Sequence, residues 1–337
     1  MKIAVDAAGG DYAPHEVVKG AIKAAQDYGV EIVLVGRRNV LHVLAGRSLN
    51  KLGISIVDAK QVIDYSESPM KAIQSKPDSS IVVGINLLKM GRAEAFVSAG
   101  NTGAVVGSAL LTLGRAKGVS RPAIGCFLDT ISSFPALLVD AGANSDCRPE
   151  HLLEFARLGY LYSKHILKIK SPRVGLLSNG TEDGKGNRLI HDSYKLLKEA
   201  KDINFVGNIE GQDIQKRTMD VIVTDGFTGN IVLKTIEGLS DNFLTSLREI
   251  GRIFSSASRL RGRDLLRDIG LSSWAQKLDY TEYGGACLLG VNGNVIIAHG
   301  RSQARAIKNA IGLAKETVEG RITEKVREER YEQASGN

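Results

Sequence analysis

Arg173-Val-Gly-Leu-Leu-Ser178 is followed by Gly180-Thr-Glu-Asp-Gly-Lys-Gly-Asn187, and then by a run in which Leu189, Tyr194, Leu196 and Leu197 fall at helical spacing. The order is strand, glycine loop, helix. Such a unit repeated along a chain builds an α/β fold with a parallel sheet. The loop also has the makings of an anion site, because glycines admit close backbone approach and the next helix begins with unpaired N–H groups and a partial positive charge. Lys185, between Gly184 and Gly186, adds a full charge, and Asn187 closes the loop. A long surface turn with a solvated lysine would read the same way. A nucleotide P-loop is excluded, since Gly180 and Gly184 enclose three residues and Gly186 follows the lysine where Ser or Thr is needed.

Upstream, Lys2 to Val5 is a short apolar strand ending at Asp6, and Pro14 stands near the start of a helix with Val17, Val18, Ala21, Ile22 and Ala25 on one face. Gly9 and Gly10 do not complete the GxGxxG dinucleotide fingerprint. Strands are predicted at Glu31 to Val35, Ile54 to Val57 and Ala93 to Val97, the last running into Ser98-Ala-Gly-Asn-Thr-Gly103 and an apolar helix. In that loop Asn101, Thr102 and Gly103 could hold an oxyanion, or Asn101 could simply cap the helix. Ala123 to Leu128 and Pro135 to Val139 read as adjacent strands, and the second leads into Asp140-Ala-Gly-Ala-Asn144. Asp220 to Val223 leads into Thr224-Asp-Gly-Phe-Thr-Gly-Asn230, which carries Asp225, Gly229 and Asn230.

These loops all follow predicted strands, and the carboxyl ends of an open parallel sheet form one rim where ligands bind. Loops around Asp6, Asn101, Lys185 and Asn230 are therefore expected on one rim. Neutral or positive donors with two aspartates, Asp140 and Asp225, suit an oxyanion and a phosphate better than a metal cluster.

From Asn230 to Phe254 the residues Val232, Ile236, Leu239, Phe243, Leu247, Ile250 and Phe254 form one helical stripe. A second amphipathic stretch runs from Ala257 to Leu278, and Arg259, Leu260, Arg263 and Leu266 lie where it would turn. The expectation is a helical hairpin, residues 230–278, that meets a second copy of the chain, an anionic membrane surface, or both. Asn292-Gly293 signals a hairpin between two late strands. Gly300-Arg301-Ser302 opens a further helix. Residues 1–320 are expected as a single α/β domain with the hairpin inserted, and 321–337 as a charged, fraying tail.

A chain of 337 residues that is 43% hydrophobic can bury a large core. No apolar run approaches the roughly 20 residues of a membrane span, and a strand begins at once without a signal-peptide pattern, so a cytoplasmic protein is expected. Cys126, Cys147 and Cys287 are odd in number and far apart, as reduced thiols are. The six histidines lack metal spacing, and no zinc site is expected. A net charge of +7 favours acidic partners; with 5% aromatics and no stacking motif, nucleic acid is the weakest of them.

Six motifs in order are VDAAGGD (Val5 to Asp11), SAGNTGA (Ser98 to Ala104), GTEDGKGN (Gly180 to Asn187), TDGFTGN (Thr224 to Asn230), DYTEYGGA (Asp279 to Ala286) and LLGVNG (Leu288 to Gly293). Together they resemble the bacterial phosphate acyltransferase family, PlsX, over nearly the whole chain. Ala8 and Tyr12 depart from the methionine and histidine common in that family. The resemblance implies transfer of a long-chain acyl group from acyl carrier protein to inorganic phosphate, which gives acyl phosphate for phospholipid synthesis. It implies a homodimer with a fold like that of isocitrate/isopropylmalate dehydrogenases and phosphotransacetylase. It further implies peripheral attachment to the inner face of the cell membrane, delivery to a membrane glycerol-3-phosphate acyltransferase, and no cofactor. Catalysis is implied at the lysine and asparagine that stand here as Lys185 and Asn230.

A thioester is already activated, so positioned phosphate can attack it without an acyl-enzyme. Lys185, with N–H groups near Gly184 and Gly186, would hold phosphate, and Asn230, with Asn101 as a second candidate, would donate to the oxyanion. No GxSxG elbow is present, and Cys147, four residues before His151, suits a buried small residue better than a nucleophile. A phosphotransacetylase-like enzyme using acyl-CoA, an isopropylmalate-type dehydrogenase, and a non-catalytic membrane or acidic-protein scaffold are the competing readings.

Overall fold

The computed structural model describes residues 1–128, 130, 135–216, 218–257 and 284–335. The chain opens with β1 (Lys2–Asp6), α1 (His15–Tyr28), β2 (Glu31–Gly36), α2 (Arg38–Ala45), α3 (Ser48–Lys51) and β3 (Ser55–Asp58). Then come α4 (Pro69–Ser75), α5 (Ser80–Lys89), β4 (Ala95–Ser98), α6 (Thr102–Thr112), β5 (Ala123–Leu128) and β6 (Ala136–Val139). Between Asp64 and Ser80 lies the short helix α4, with Pro69 in its first turn. After α7 (Pro149–His165) follow β7 (Arg173–Leu177), α8 (Arg188–Glu199), β8 (Asn204–Ile209) and β9 (Val221–Val223). The described chain ends with α9 (Gly226–Ala257), β10 (Ala286–Leu289), β11 (Asn294–Ile297), α10 (Ala304–Glu319) and α11 (Ile322–Ser335).

All described strands join one sheet in the order β3-β2-β1-β4-β11-β10-β5-β6-β9-β7-β8. The strand interiors are apolar without alternation because both faces are covered. Apolar residues of α1, α7, α8 and α10, such as Ala21, Phe155, Leu197 and Ile311, pack on one face. Those of α4, α5 and α6, such as Ala72, Ile85 and Val105, pack on the other, where Val232, Leu233 and Ile236 of α9 join them.

The direction of the strands corrects one expectation. β3, β2, β1, β4 and β11 are mutually parallel, and so are β6, β9, β7 and β8. Between these sets, the β11–β10, β10–β5 and β5–β6 pairings are all antiparallel. Three reversals point the two sets in opposite directions. The loops after Asp6 and Ser98 therefore lie on one edge of the sheet, and those after Val139, Leu177 and Val223 on the other. The four loops do not share a rim, because carboxyl ends coincide only while neighbouring strands stay parallel.

Two terminal features also differ from expectation or fall beyond reach. The charged segment after residue 320 is a helix, α11, anchored by buried Ile322 and Val326 that join the core with α7. The first arm of the predicted hairpin is the single helix α9, whereas its second arm, with Arg259, Leu260, Arg263 and Leu266, lies outside the described residues, as do Asp279 to Tyr283. Among the described residues, no helix is long and apolar enough to cross a membrane.

Candidate active site

The first edge is built around Asp6, which is 1% exposed. Its carboxylate accepts hydrogen bonds from the Ala8 and Gly9 N–H groups (3.0 Å each) and the Ser98 hydroxyl (2.7 Å). Burial raises its pKa despite these bonds. A Cβ on Gly9 would stand 2.4 Å from Asp6 Oδ2 and 2.7 Å from the Gly100 nitrogen, so glycine alone lets the two loops meet. Asn101 caps α6 by accepting from the Ala104 N–H (3.0 Å), while its amide donates to the Asp64 carbonyl (3.0 Å) and the Tyr65 carbonyl (3.4 Å). Its polar atoms hold the loop together. Gly103 is packed on α4, where a Cβ would stand 2.6 Å from Pro69 Cγ. Thr102, in contrast, is exposed.

The second edge has its own buried aspartate. Asp140, fully buried, accepts from the Ile124, Gly142, Ala143 and Asn144 N–H groups at 2.8–3.1 Å and from the Asn144 amide at 2.8 Å. Burial is the main cause of its raised pKa. Asn144 also donates to the Pro122 carbonyl (2.7 Å), and its carbonyl accepts from the Gly226 N–H (2.8 Å). Asp225 accepts from the Thr228 N–H and hydroxyl, both at 2.8 Å, within the first turn of α9. Gly229 is there for contact rather than for flexibility: a Cβ would lie 1.9 Å from the Asp140 carbonyl oxygen. This seating brings Asn230, which is exposed, against Gly142. Asp140, Asn144, Asp225 and Gly229 thus support the start of α9 and leave Asn230 as the open polar group.

The organising loop lies on the same edge. β7, which precedes it, pairs directly with β9, which precedes the Asn230 loop. Gly186 has φ +107°, and a Cβ there would strike Ile190 at 2.5 Å; Asn187 then caps α8 by accepting from the Ile190 N–H (3.0 Å). The loop is tied down by the Asn208 amide and the Lys185 N–H, both bonded to the Glu182 carbonyl at 3.0 Å. Tyr194 and Lys198 bind Asp183, whose carboxyl is held below its ordinary range by the Lys198 hydrogen bond and then by Tyr194. Lys185 is exposed, its stem lies over Gly180, and no described atom stands within 4 Å of a Cβ on Gly184.

Between the edges, on the α9 face of the sheet, is a cavity of about 320 Å³. Ile124, Leu128, Ala286 and Ile297 give it an apolar floor, and Thr102 from α6 and Asn230 from α9 both line it. Opposed strand directions therefore still bring residues from the two edges to one space, across the face rather than along a rim. Asn101, Lys185 and Asn187 are not among its lining residues. Gln215, Lys234, Glu237 and His299 are, and none of them was singled out from the sequence. Lys234 and Glu237 follow Asn230 by four and seven residues, the helical spacing of one face. In the sequence that spacing is masked by the apolar stripe through Val232 and Ile236.

Lys234 Nζ lies 2.6 Å from Glu237 Oε2 and 3.1 Å from His299 Nε2, and the latter is 3.4 Å from Glu237 Oε2. Burial opposes the Glu237 charge, yet hydrogen bonds from His299 and Lys234 bring its pKa below the ordinary value. Cys126, also in the wall, is pushed up to about 12 by burial and by Glu237. Cys147 is pushed up to about 11, again first by burial, and the His151 Nδ1 accepts the Arg148 N–H (3.1 Å) instead of meeting a thiol. Neither cysteine is a ready thiolate. Among the described residues, no group of three or more His, Cys, Asp and Glu side chains could hold a metal ion.

A family model described as "Fatty acid synthesis protein" matches residues 1–325. The chain belongs to this family. A relative named phosphate acyltransferase, from Dehalococcoides mccartyi, is 54% identical over 329 residues, 98% of this chain and 94% of that protein. The family is one of acyltransferases, so this chain is an enzyme of the phosphate acyltransferase type. Two solved structures share its fold. A phosphotransacetylase from Streptococcus pyogenes has a TM-score of 0.58 at 19% identity, covering 94% of each chain. A 4-hydroxythreonine-4-phosphate dehydrogenase from Klebsiella pneumoniae has a TM-score of 0.52 at 12% identity, covering 94% of this chain and 98% of its own. The expected likeness to phosphotransacetylase and dehydrogenase folds is thereby met.

Proposed function

We propose that this acyltransferase moves a long-chain acyl group from the thioester of acyl carrier protein to inorganic phosphate, and that the acyl phosphate feeds glycerophospholipid synthesis through a membrane glycerol-3-phosphate acyltransferase. The observation that carries this reading is one cavity with an apolar floor, lined by Thr102 at the start of α6 and by Asn230 just past the first turn of α9. Helix starts favour anions, and apolar walls suit an acyl chain.

In the proposed reaction a phosphate oxygen attacks the thioester carbon, so the protein's work is positioning and charge stabilisation. Asn230 donates to the oxyanion that develops on the carbonyl. Thr102, with the N–H groups at the start of α6, and Lys185, from the neighbouring loop with Gly184 and Gly186, counter the phosphate charge. Asn101 and Asn187 serve by holding the helix starts in place. No cofactor enters the proposed reaction.

The net charge of +7 suits an acidic carrier protein. Phe227 and Ile231, four apart on α9, are 62% and 50% exposed, and Leu239 further along is 65% exposed. That apolar surface fits a second copy of the chain, and so supports a homodimer. Peripheral attachment to an anionic membrane at the cytoplasmic face, through Arg259, Leu260, Arg263 and Leu266, completes the proposal.

Thiol release from palmitoyl carrier protein, with and without inorganic phosphate and beside palmitoyl-CoA, tests it. Phosphate-dependent release from the carrier protein is expected. Faster release from the CoA thioester would assign the protein a phosphotransacetylase-like substrate, and release indifferent to phosphate would remove the reaction altogether.

A further inference from the structure

The proposed reaction must dispose of a sulfur as well as an oxyanion, and the cavity holds a polar group that nothing above uses. His299 accepts the Arg301 N–H at Nδ1 (3.1 Å), which leaves the ring proton on Nε2. That N–H and the Lys234 ammonium stand 3.1 Å apart, and both are directed by the Glu237 carboxylate, 13% exposed, at 3.4 and 2.6 Å. Glu237, itself held by His299, thus fixes the Lys234 ammonium in the wall of a cavity whose floor is apolar. A lysine has three N–H bonds, so binding Glu237 leaves it capacity for another acceptor.

We infer that Lys234 is the leaving-group donor, giving a hydrogen bond to the thioester sulfur as the carbon–sulfur bond breaks, with Glu237 and His299 holding it in place. The inference rests on the acyl-phosphate reading above. Asn230 and Lys234 are one helical turn apart on the same face of α9, with Cβ atoms about 5–6 Å apart. A thioester whose carbonyl oxygen faces Asn230 therefore presents its sulfur toward Lys234. In the step itself, a hydrogenphosphate oxygen bonds to the carbonyl carbon, the carbon–sulfur bond breaks, and its electron pair stays on sulfur. The proton given up by phosphate ends on that sulfur, so the products are acyl phosphate and free thiol. Glu237 keeps the Lys234 donor aimed and balances its charge until the thiolate forms. Charge developing in an apolar cavity is where fixed donors act most strongly.

The test compares two thioesters of the same long acyl chain, one of pantetheine, an alkyl thiol, and one of thionitrobenzoate, whose acidic aryl thiol departs without help. Lys234→Met is expected to lose about a hundredfold in phosphate-dependent release from the pantetheine ester. On the aryl ester it should lose no more than about tenfold. Lys234→Gln, which keeps an N–H donor, is expected between the unaltered protein and Lys234→Met on the alkyl ester. Because each preparation is judged by the ratio of its two rates, partial misfolding cancels. Equal losses on both esters, or none on either, would overturn the inference. Refusal of the aryl ester by the unaltered protein would also count against it, since an ammonium donor makes no demand on the thiol's carbon skeleton. If the unaltered protein releases no thiol in response to phosphate from either ester, the acyl-phosphate reading fails instead.

Discussion

Asn101 and Asn230 sit in loops that look alike in sequence, each rich in glycine, each between a buried strand and a helix, and their surroundings give them different work. Asn101 is 7% exposed, with its oxygen on the Ala104 N–H and its amide on two carbonyls. Asn230 is exposed, and the bonds that fix its loop come from elsewhere, namely Asp140, Asn144, Asp225 and Thr228. At the first edge the asparagine is itself the brace. At the second, other residues brace the helix start and the asparagine is left open to the cavity. The same residue type therefore marks a structural loop where it is buried and satisfied, and a candidate active site where it is held out by neighbours.

The largest expected effect strikes the brace at the second edge. Gly229→Ala forces a Cβ to within 1.9 Å of the Asp140 carbonyl oxygen, so α9 must shift, at a cost of about 3 kcal/mol or more in urea unfolding. A variant with unchanged midpoint and unchanged rate would show that the seating of α9 matters less than the contact implies. Next comes the open group itself. Asn230→Ala is expected to slow phosphate-dependent thiol release by about a hundredfold or more, with stability within about 0.5 kcal/mol of the wild type. Lys185→Ala is expected to lose rate on the same order, through weaker use of phosphate. Normal turnover in either variant would take that residue out of the reaction.

Asn101→Ala should do the reverse. Loss of a helix cap and of two buried hydrogen bonds is expected to lower stability by about 2 kcal/mol, while turnover at a temperature where the fold persists changes less than about tenfold. A hundredfold loss of rate without loss of stability would erase the contrast between the two asparagines.

The smallest effect is one of pH. Burial raises the Asp6 pKa in the folded protein. Stability tied to such a group is present below its unfolded value of about 3.9 and is lost as pH rises through the folded value. Asp6→Asn lacks this dependence. Its stability relative to the wild type, low at acid pH because the fit to the Ala8 and Gly9 N–H groups is altered, should therefore improve as pH rises toward neutrality. A difference that stays flat with pH would mean that Asp6 folds with no proton linkage.

Much of the fold was legible because it is written in short-range pattern. The strand from Arg173, the glycine loop and α8 follow one another as the residue spacing implies, and Asn292-Gly293 does join two antiparallel strands. Adjacent strands at Ala123 and Ala136 were also legible. The shared rim was not, because strand direction across the sheet depends on β10 and β5 entering between two parallel sets, a pairing between residues more than a hundred apart in sequence. The length of α11 is hidden in the sequence by its charge; among its described residues the buried anchors are Ile322 and Val326. In the site, Asn230 and Thr102 could be named from their loops. Lys234 and Glu237 share a helix with an apolar stripe that dominates any periodic reading, and His299 follows a strand with no spacing to announce it. Those three become visible as a group only when α9 is laid across the sheet.

The central claim is that phosphate meets an acyl thioester in the cavity at the start of α9. Single-turnover thiol release from palmitoyl carrier protein, measured with and without phosphate on the wild type, Asn230→Ala and Asn101→Ala, tests it most directly. The expected result is release that requires phosphate, collapses in Asn230→Ala and survives in Asn101→Ala. Release that proceeds equally without phosphate, or that is untouched by Asn230→Ala, would contradict it.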